Sequence, residues 1–380
     1  MTKLDELIQE LCPDGVKYYI LNTVCNVYDG THKTPKYTDS GIKFASVENI
    51  ADPYATEKYI SISDYEKYKI KPQRNDLLMT RIGSIGVCTV LESDEPLAYY
   101  VSLALLRPNN NELNSRYLKY AIESLHCRKE LRKRTLVNAV PIKINMGDIG
   151  KITLPVPPLP VQREIVRILD NFTELTAELT AELTAELTAR KQQYAYYQKK
   201  MLNFAANIPK LLLSDVAVGV FSGKNKERLE DGTYPVYGST GVIASTDTPV
   251  YNWEQILVAR VGANAGYVHL AKGQYDVSDN TLIVNVKKEY SLKFVYYILT
   301  SMNLNQYAKG GGQPLITAGD LKKMPIPMPE RDVQDRIVAV LDNFNAICTD
   351  LSSGLPAEIE ARQKQYEYYR DKLLTFTPAD

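Results

Sequence analysis

Cysteine, histidine, phenylalanine and tryptophan are all scarce in this 380-residue chain. The five cysteines form no Cys-x-x-Cys pair, and the three histidines lie far apart, which argues against a zinc site or a disulfide framework. No apolar run approaches the length of a membrane-spanning helix, and the opening MTKLDELIQELC is too charged for a signal peptide. Excess charge is also lacking, because 45 Lys and Arg balance 45 Asp and Glu. A metal-free, cytoplasmic protein of two or three domains is therefore expected.

A duplication organises what is present. The segment VQREIVRILDNF (161–172) returns as VQDRIVAVLDNF (333–344), and ARKQQYAYYQKKMLNF (189–204) returns as ARQKQYEYYRDKLLTF (361–376). Both pairs have the same offset, and residues 147–204 match 319–376 without a gap at roughly 45% identity, far above chance self-similarity. Between Phe172 and Ala189 the first copy also contains a tandem TAEL repeat.

The duplicated segments have helical spacing. Apolar residues of the first copy recur in steps of three and four from Ile165 to Met201, and no Gly or Pro interrupts 161–204, which predicts one helix of about 44 residues. An isolated helix of this length must bury its apolar stripe, and the second copy is its expected antiparallel partner. Ser352, Ser353, Gly354 and Pro356 predict a break in the second copy, with Pro356 in the first turn of a restarting helix.

The stretches between the helices are rich in β-branched residues, Tyr, Gly and turn signals. DLLMTRIGSIG (76–86) parallels QILVARVGANAG (255–266), and YLKYAIES (117–124) parallels FVYYILTS (294–301). The predicted fold class is α+β, with two pseudo-two-fold-related mixed α/β heads separated by a coiled-coil spacer of two long antiparallel helices. The predicted domains are a first head with a short N-terminal helix (1–153), a central helical region with the TAEL repeats (154–207), a second head (208–325) and a C-terminal helical region (326–380).

In these features the chain resembles the specificity subunits of type I restriction-modification systems. The resemblance rests on the TAEL repeats, the duplicated QYxYY helix ends and the opening DGTHKTPKY…GIKF, and it covers essentially the whole chain. It implies two target-recognition domains that each read one half of a split site in double-stranded DNA. It also implies helices that dock two methyltransferase subunits and fix the gap, while restriction subunits join the full complex.

The sequence offers no catalytic constellation of its own. Asp52-Pro53-Tyr54 is one proline short of an amino-methyltransferase motif, and GVFSGKNK (219–226) has the wrong spacing for a phosphate-binding loop. These absences fit a non-catalytic recognition subunit without a cofactor, and the resemblance implies that adenine methylation and ATP-dependent cleavage belong to partner subunits.

Candidate DNA contacts are polar and basic residues in turns and in the basic run HCRKELRKR (126–134), since such side chains bind phosphates and base edges. In the first head they are Thr31, His32, Lys33, Lys36, Arg81, Ser84, Arg128, Lys129, Arg132, Lys133, Arg134, Asn138 and Lys143. In the second head they are Ser222, Lys224, Asn225, Lys226, Arg260, Asn264, Lys309 and Gln313. Because Arg81 and Arg260 recur after matching strands, bracing of the loop is an equally good interpretation of these two.

Candidate docking residues for the partner subunits are Arg190, Tyr194, Tyr197, Arg362, Tyr366 and Tyr369, with helix packing as the alternative. Neutral charge and 27 tyrosines also fit a helical scaffold that binds only proteins. A specificity subunit of a type IIB-like methylase-nuclease is a further alternative. Neither half-site sequence nor the gap length follows from the sequence.

Overall fold

Both copies of the duplicated helical segment are divided between two structural units. The computed structural model describes residues 2–205, 207–349 and 354–379. One unit comprises Met1–Ala181 together with Glu360–Asp380, and the other comprises Glu182–Ile359. The start of the first helical copy and the end of the second thus belong to the first unit, and the remaining parts belong to the second unit.

The first unit contains three sheets. Its strands are β1 (Tyr18–Ile20), β2 (Cys25–Asp29), β3 (Tyr37–Thr38), β4 (Ile42–Ala45), β5 (Tyr59–Ile60), β6 (Leu77–Thr80), β7 (Cys88–Val90), β8 (Leu97–Tyr99), β9 (Leu103–Pro108) and β10 (Thr153–Pro155). Its helices are α1 (Lys3–Leu11), α2 (Leu21–Val24), α3 (Ile62–Tyr65), α4 (Ser115–Glu123), α5 (Leu125–Arg134), α6 (Met146–Ile149) and the first part of α7 (Leu159–Met201), with 3₁₀ turns at Val47–Asn49 and Pro53–Ala55. The sheet orders are β2-β9-β6-β7, β3-β5-β4-β8 and β1-β10, and only β4 and β8 pair in parallel.

The second unit repeats this plan. Its strands are β11 (Lys210–Leu212), β12 (Ala217–Ser222), β13 (Tyr234–Gly238), β14 (Gly241–Thr246), β15 (Gln255–Ala259), β16 (Val268–Ala271), β17 (Asp276–Val277), β18 (Thr281–Val286) and β19 (Pro325–Pro327). Its helices are α8 (Leu213–Val216), α9 (Leu292–Ser301), α10 (Ala318–Lys322), α11 (Arg331–Thr349) and the start of α12 (Leu355–Leu373), with a 3₁₀ turn at Leu304–Tyr307. The orders β12-β18-β15-β16 and β11-β19 correspond to β2-β9-β6-β7 and β1-β10, and the third sheet is β14-β13-β17.

The matched strands β6 and β15 are buried along their whole length because each lies between two cores. In the first unit Leu77 and Met79 join the main core with α4 and α7, whereas Leu78 faces a smaller core under the β3-β5-β4-β8 sheet. Ile256 and Leu257 divide between two cores of the second unit in the same way. This two-sided burial explains the unbroken apolar runs at LLM and ILVA.

The long helices largely confirm the expectation from periodicity. Helix α7 is 43 residues long, as predicted, and Ile165 and Leu169 are fully buried on its inner face. The stripe is not continuous, however, because Leu175 in the TAEL region is 60% exposed. The predicted restart is confirmed, since α12 begins at Leu355, directly after the non-helical Gly354, with Pro356 in its first turn. Ser352 and Ser353 lie outside the described residues.

The helices pair antiparallel within each unit through the same aromatic contact. In the first unit the Phe172 and Tyr369 rings stack at 5.9 Å, and in the second the Tyr197 and Phe344 rings stack at 5.7 Å. Positions 172 and 344, like positions 197 and 369, are equivalent in the duplication. A single ancestral contact is therefore made twice.

A buried glutamine near the start of α7, and another in α11, fastens each head to its helix. Gln162 accepts a hydrogen bond from the Asn114 N–H (2.8 Å) and donates to the carbonyls of Glu112 and Pro157 (both 2.7 Å). The equivalent Gln334 accepts from Ser291 N–H (2.9 Å) and donates to the carbonyl of Pro329 (2.8 Å). Because Asn114 and Ser291 are the N-cap residues of α4 and α9, each glutamine holds the start of a head helix.

The two chain ends pair in the first unit. Val16 N–H donates to the Thr377 carbonyl (2.8 Å), and Ala379 N–H donates to the Val16 carbonyl (3.0 Å). The last segment of the chain thus lies directly beside the segment that leads into β1. No helix within the described ranges is long and apolar enough to cross a bilayer.

Candidate nucleic-acid interface

Three loops meet at one edge of the four-stranded sheet in the first unit. Strands β2 and β6 both pair antiparallel with β9 between them, so their C-terminal ends lie at the same edge. The loops that follow, 30–36 and 81–87, are therefore neighbours. A third loop, 135–143, joins them, because Gly83 N–H donates to the Ile142 carbonyl (2.9 Å) and Ile144 N–H to the Arg81 carbonyl (3.0 Å). We call these three segments the loop trio.

The second unit builds the same loop trio from different residues. Loops 223–228 and 260–267 follow β12 and β15, which both flank β18. The third loop, 308–315, is joined by hydrogen bonds from Gly262 N–H to the Pro314 carbonyl (3.0 Å) and from Ile316 N–H to the Arg260 carbonyl (2.9 Å). The structure thus brings together candidates that are up to about a hundred positions apart in each head.

A glycine opens the first loop of each trio. A Cβ atom at Gly30 would overlap the carbonyl oxygen of Tyr100, and one at Gly223 would overlap that of Val277. Only glycine lets the loop leave its strand this close to a neighbouring backbone.

Arg81 braces the first trio from inside. Its side chain is only 8% exposed, and Nη1 donates to Asp29 Oδ1 and to the Val101 carbonyl, both at 2.9 Å. The other Asp29 oxygen lies 2.8 Å from Nε2 of the exposed His32, so one carboxylate ties two loops together. In the second unit Arg260 is half-buried, with Nη1 3.5 Å from both Ser222 Oγ and the Asp279 carbonyl oxygen. These contacts support the bracing interpretation of both arginines, and base reading by either stays a prediction.

The basic run lies in helix α5, beside the third loop of the trio. Glu130 pairs with Lys133 (2.9 Å) and Arg134 (2.7 Å). These hydrogen bonds lower the pKa of the Glu130 carboxyl, and the bond from Lys133 has the larger effect. Lys129 and Arg132 are exposed and have no ion pair among the described residues. They are therefore the α5 cations most available to a phosphate.

The other first-head candidates are mostly exposed. Arg128 lies 3.9 Å from Glu367 on α12, and Thr31 is half-buried beside Tyr100. The remaining exposed candidates of this head are Lys33, Lys36, Ser84, Asn138 and Lys143.

In the second head two candidates are held by carboxylates. Asn225 Nδ2 donates to Asp276 (2.6 Å), and Lys309 Nζ lies 2.6 Å from Asp320, whose pKa it lowers. The exposed candidates there are Lys224, Lys226, Asn264 and Gln313, while Ser222 is half-buried.

The tip of loop 135–143 has an apolar surface that the sequence reasoning missed. Val137 is 62% exposed and Val140 fully exposed, with Leu136 and Ile142 also exposed beside them. The corresponding tip in the second head consists of three glycines, Gly310 to Gly312. A run of β-branched residues predicts a buried strand. The sequence alone therefore does not indicate that these side chains face solvent.

The docking candidates on the helices are largely occupied within the chain. Tyr197 and Tyr369 stack on Phe344 and Phe172, and Tyr194 packs against the second core. Tyr366 receives a hydrogen bond from Thr173 (3.1 Å). Arg190 bonds Glu186 and Gln193, and Arg362 bonds Gln365. Docking by these six side chains stays a prediction.

The other members of the tyrosine pairs are more exposed to solvent. Tyr196 and Tyr368 are each 62% exposed and occupy equivalent positions of the duplication. Each meets its neighbouring tyrosine edge-to-face at 5.4 Å. The surface therefore presents the same aromatic group twice.

The described residues give little support for a catalytic site. They contain no group of three His, Cys, Asp or Glu side chains placed to hold a metal ion. All five cysteines are buried and free, and burial raises the pKa of Cys25 and of Cys127 to about 12. These two thiols therefore stay protonated at neutral pH, which makes them poor nucleophiles.

Comparison with known proteins gives a consistent result. The family model described as type I restriction modification DNA specificity domain matches residues 13–189 and again 213–361. The specificity subunit of the type I restriction enzyme EcoprrI of Escherichia coli is 31% identical over 304 residues, covering 75% of this chain and 74% of that protein. A putative type I specificity subunit of Mycoplasma pneumoniae is 30% identical over 295 residues, covering 72% and 85%.

Two solved structures share the fold. A chain from work on complex assembly and conformational transition of the type I R-M system superposes with a TM-score of 0.69 at 15% identity, covering 96% of this chain and 98% of that one. The HsdS subunit of Thermoanaerobacter tengcongensis gives a TM-score of 0.54 at 14% identity, covering 96% of both chains. These likenesses confirm the predicted architecture of two sheet-rich heads and long helices.

Proposed function

Since this chain belongs to the type I restriction-modification DNA specificity family, we propose that it selects the DNA sequence on which such a complex acts. Each unit reads one half of a bipartite site in double-stranded DNA through its loop trio. The chain itself performs no catalysis and holds no cofactor. Methylation of adenine and ATP-dependent cleavage belong to methyltransferase and restriction subunits, in the cytoplasm where the genome lies.

The observation that carries this proposal is that one loop architecture occurs twice with different side chains. Both trios expose lysines, but the first has the aliphatic side chains of Val137 and Val140 at the tip of its third loop, where the second has Gly310 to Gly312. Side chains that enter a DNA groove read the base edges, whereas the frame that holds the loops sets the position of those side chains. A protein that reads two different half-sites requires two similar loop frames that carry different side chains.

The local charge agrees with a contact to phosphates. Residues 107–151 contain ten Lys or Arg against four Asp or Glu, although the whole chain is neutral. Counterion release at those cations would attach the first head to the duplex backbone. A neutral chain is expected to bind DNA weakly by itself and to bind tightly only with partner subunits that add phosphate contacts.

The helices are the proposed docking frame for two methyltransferase subunits. Equivalent faces of α7 and α12 present Tyr196 and Tyr368, and an aromatic ring with a polar tip is a common interface anchor. Because the surface occurs twice, it fits two copies of one partner rather than two different ones. A scaffold that binds only proteins would not need two different loop surfaces, and membership of the family favours DNA reading.

Adenine-methylation mapping by long-read sequencing tests the proposal directly. Cells that carry this gene and its cognate methyltransferase should show a split motif with a fixed gap, and deletion of this gene should abolish it. Exchange of residues 208–325 for the second head of a relative should change one half-site only. An active methyltransferase whose motif does not depend on this chain would refute the proposal.

The gap itself should depend on the TAEL repeat in α7. One four-residue unit adds about 6 Å and a net rotation of about 40° to a helix. One base pair of B-DNA adds about 3.4 Å and roughly 34–36°. Insertion of one TAEL unit is therefore expected to lengthen the gap by about one base pair without altering either half-site. An unchanged gap in the methylation map would contradict this model.

A further inference from the structure

An aspartate of each duplicated LDNF motif holds two side chains of the adjoining head helix. Asp170 on α7 accepts hydrogen bonds from Tyr120 Oη (2.8 Å) at one oxygen and from Arg116 Nη1 (2.7 Å) at the other. Asp342 on α11 accepts from Tyr297 Oη and from Lys293 Nζ, both at 2.6 Å. We call each set of three side chains a head clamp.

The two head clamps are equivalent in detail. Asp170 and Asp342 lie at the same position of the duplication, and in both heads the cation and the tyrosine are four residues apart on one face of a helix. The heads have otherwise diverged, and the cation itself has changed from Arg116 to Lys293. The pairing of a carboxylate with a cation and a hydroxyl is thus the shared chemistry.

We propose that the head clamps are positioning elements that fix the angle of each recognition head on its long helix and thereby enforce one gap length between the half-sites. This inference rests on the proposed function. Two donors one helical turn apart, each bound to a separate oxygen of one carboxylate, oppose rotation of the head helix about the long helix. A single contact would permit that rotation.

The exposure of the clamps argues against a role in stability alone. The Arg116 and Asp170 side chains are 47% and 33% exposed, and those of Lys293 and Asp342 are 40% and 36% exposed. Ion pairs this open to solvent contribute little to the free energy of unfolding. The buried glutamines and the apolar cores already attach the heads to the helices. The clamps therefore fix the angle of each head rather than attach it.

The first clamp also reaches the second helix of its unit. Tyr120 Oη lies 3.3 Å from Thr173 Oγ1, and Thr173 donates to Tyr366 Oη on α12 (3.1 Å). Burial raises the pKa of both Tyr120 and Tyr297, so both hydroxyls stay protonated donors across the physiological range. The head is thereby connected to both helices that form its support.

The test compares Asp170→Asn, Asp342→Asn and the double variant in the full complex with the methyltransferase. The substrate is a plasmid library in which the half-sites are constant and the gap varies by one and two base pairs. Each single variant is expected to lower the preference for the correct gap over a gap one base pair different by about three- to fivefold, since an exposed ion pair contributes up to about 1 kcal/mol. Both half-site sequences should stay unchanged, and the double variant should discriminate least.

Asp148→Asn is the matched control, because Asp148 is similarly exposed and pairs with Lys151 (3.1 Å) within the same head. Its gap preference should equal that of the wild type. If the aspartate variants do not accumulate, Tyr120→Phe and Tyr297→Phe remove one hydroxyl each and should loosen gap selection in the same direction. Gap preference within twofold of the wild type, or an altered half-site, would overturn the clamp inference. A wild-type complex that methylates no bipartite motif would overturn the proposed function instead.

Discussion

Replacement of Gln162 by methionine is expected to destabilise the first unit strongly. The side chains have similar volume, so the change removes hydrogen bonds without opening a large cavity. Gln162 is fully buried, and its loss leaves the Asn114 N–H without an acceptor and two carbonyls without this donor. A buried unpaired group costs about 1–3 kcal/mol, and carbonyls tolerate the loss better than N–H groups, so the unfolding free energy should fall by about 2–4 kcal/mol.

Calorimetry of the purified chain measures this loss. For a unit of about 200 residues, 1 kcal/mol corresponds to about 2–4 °C, which places the expected decrease in Tm between about 4 and 16 °C. Gln334→Met should cost less, because Gln334 makes two such bonds and a weaker contact to the Met328 sulfur. Gln192→Met on the exposed face of α7 should change stability by less than about 0.5 kcal/mol. A Gln162→Met variant as stable as Gln192→Met would refute the reasoning.

Two further predictions concern the helix pair and a buried acid. Double-mutant cycles with alanine should give a coupling energy of about 0.5–1.5 kcal/mol for Phe172 with Tyr369, and a similar value for Tyr197 with Phe344, because the stacked geometry is the same. Couplings that differ severalfold would contradict the equivalence of the two contacts. Burial raises the pKa of Glu123 above its unfolded value, so its contribution to stability is full below about pH 4.3 and is lost as the pH rises through the folded pKa. Glu123→Gln should therefore unfold at a higher temperature than the wild type at pH 8 and at a similar temperature at pH 4, and an equal difference at both pH values would exclude this origin.

The sequence was most informative where a pattern extended over many residues. The uninterrupted spacing from Ile165 to Met201 predicted α7 almost to its ends, and Pro356 predicted the restart of the second copy. The echoes RIGSIG and RVGANAG correctly indicated matching strand and loop elements in both heads. Each of these features is a local backbone conformation, which the residues of the segment itself largely determine.

The site was less predictable because it depends on tertiary neighbours. The apolar stripe already contained Tyr194 and Tyr197, yet only the packed structure shows that Tyr196 is the member of its pair that faces solvent. Asp170 gave no signal in the sequence beyond its repetition as Asp342, since its partners are some fifty residues away. The sequence left Arg81 equally suited to bracing its loop and to reading a base, and only its contact with Asp29 supports the brace.

The pairing of the chain ends bears on how this protein originated. In the second unit the polypeptide runs covalently from Phe204 to β11, whereas in the first unit the equivalent passage, from Phe376 to Val16, is bridged by hydrogen bonds, among them those of Thr377 and Ala379 with Val16. The same local passage between helix and head thus occurs in both units, covalent in the second and hydrogen-bonded in the first. Duplication of one head-and-helix segment accounts for both passages, after which each recognition surface could change without the other.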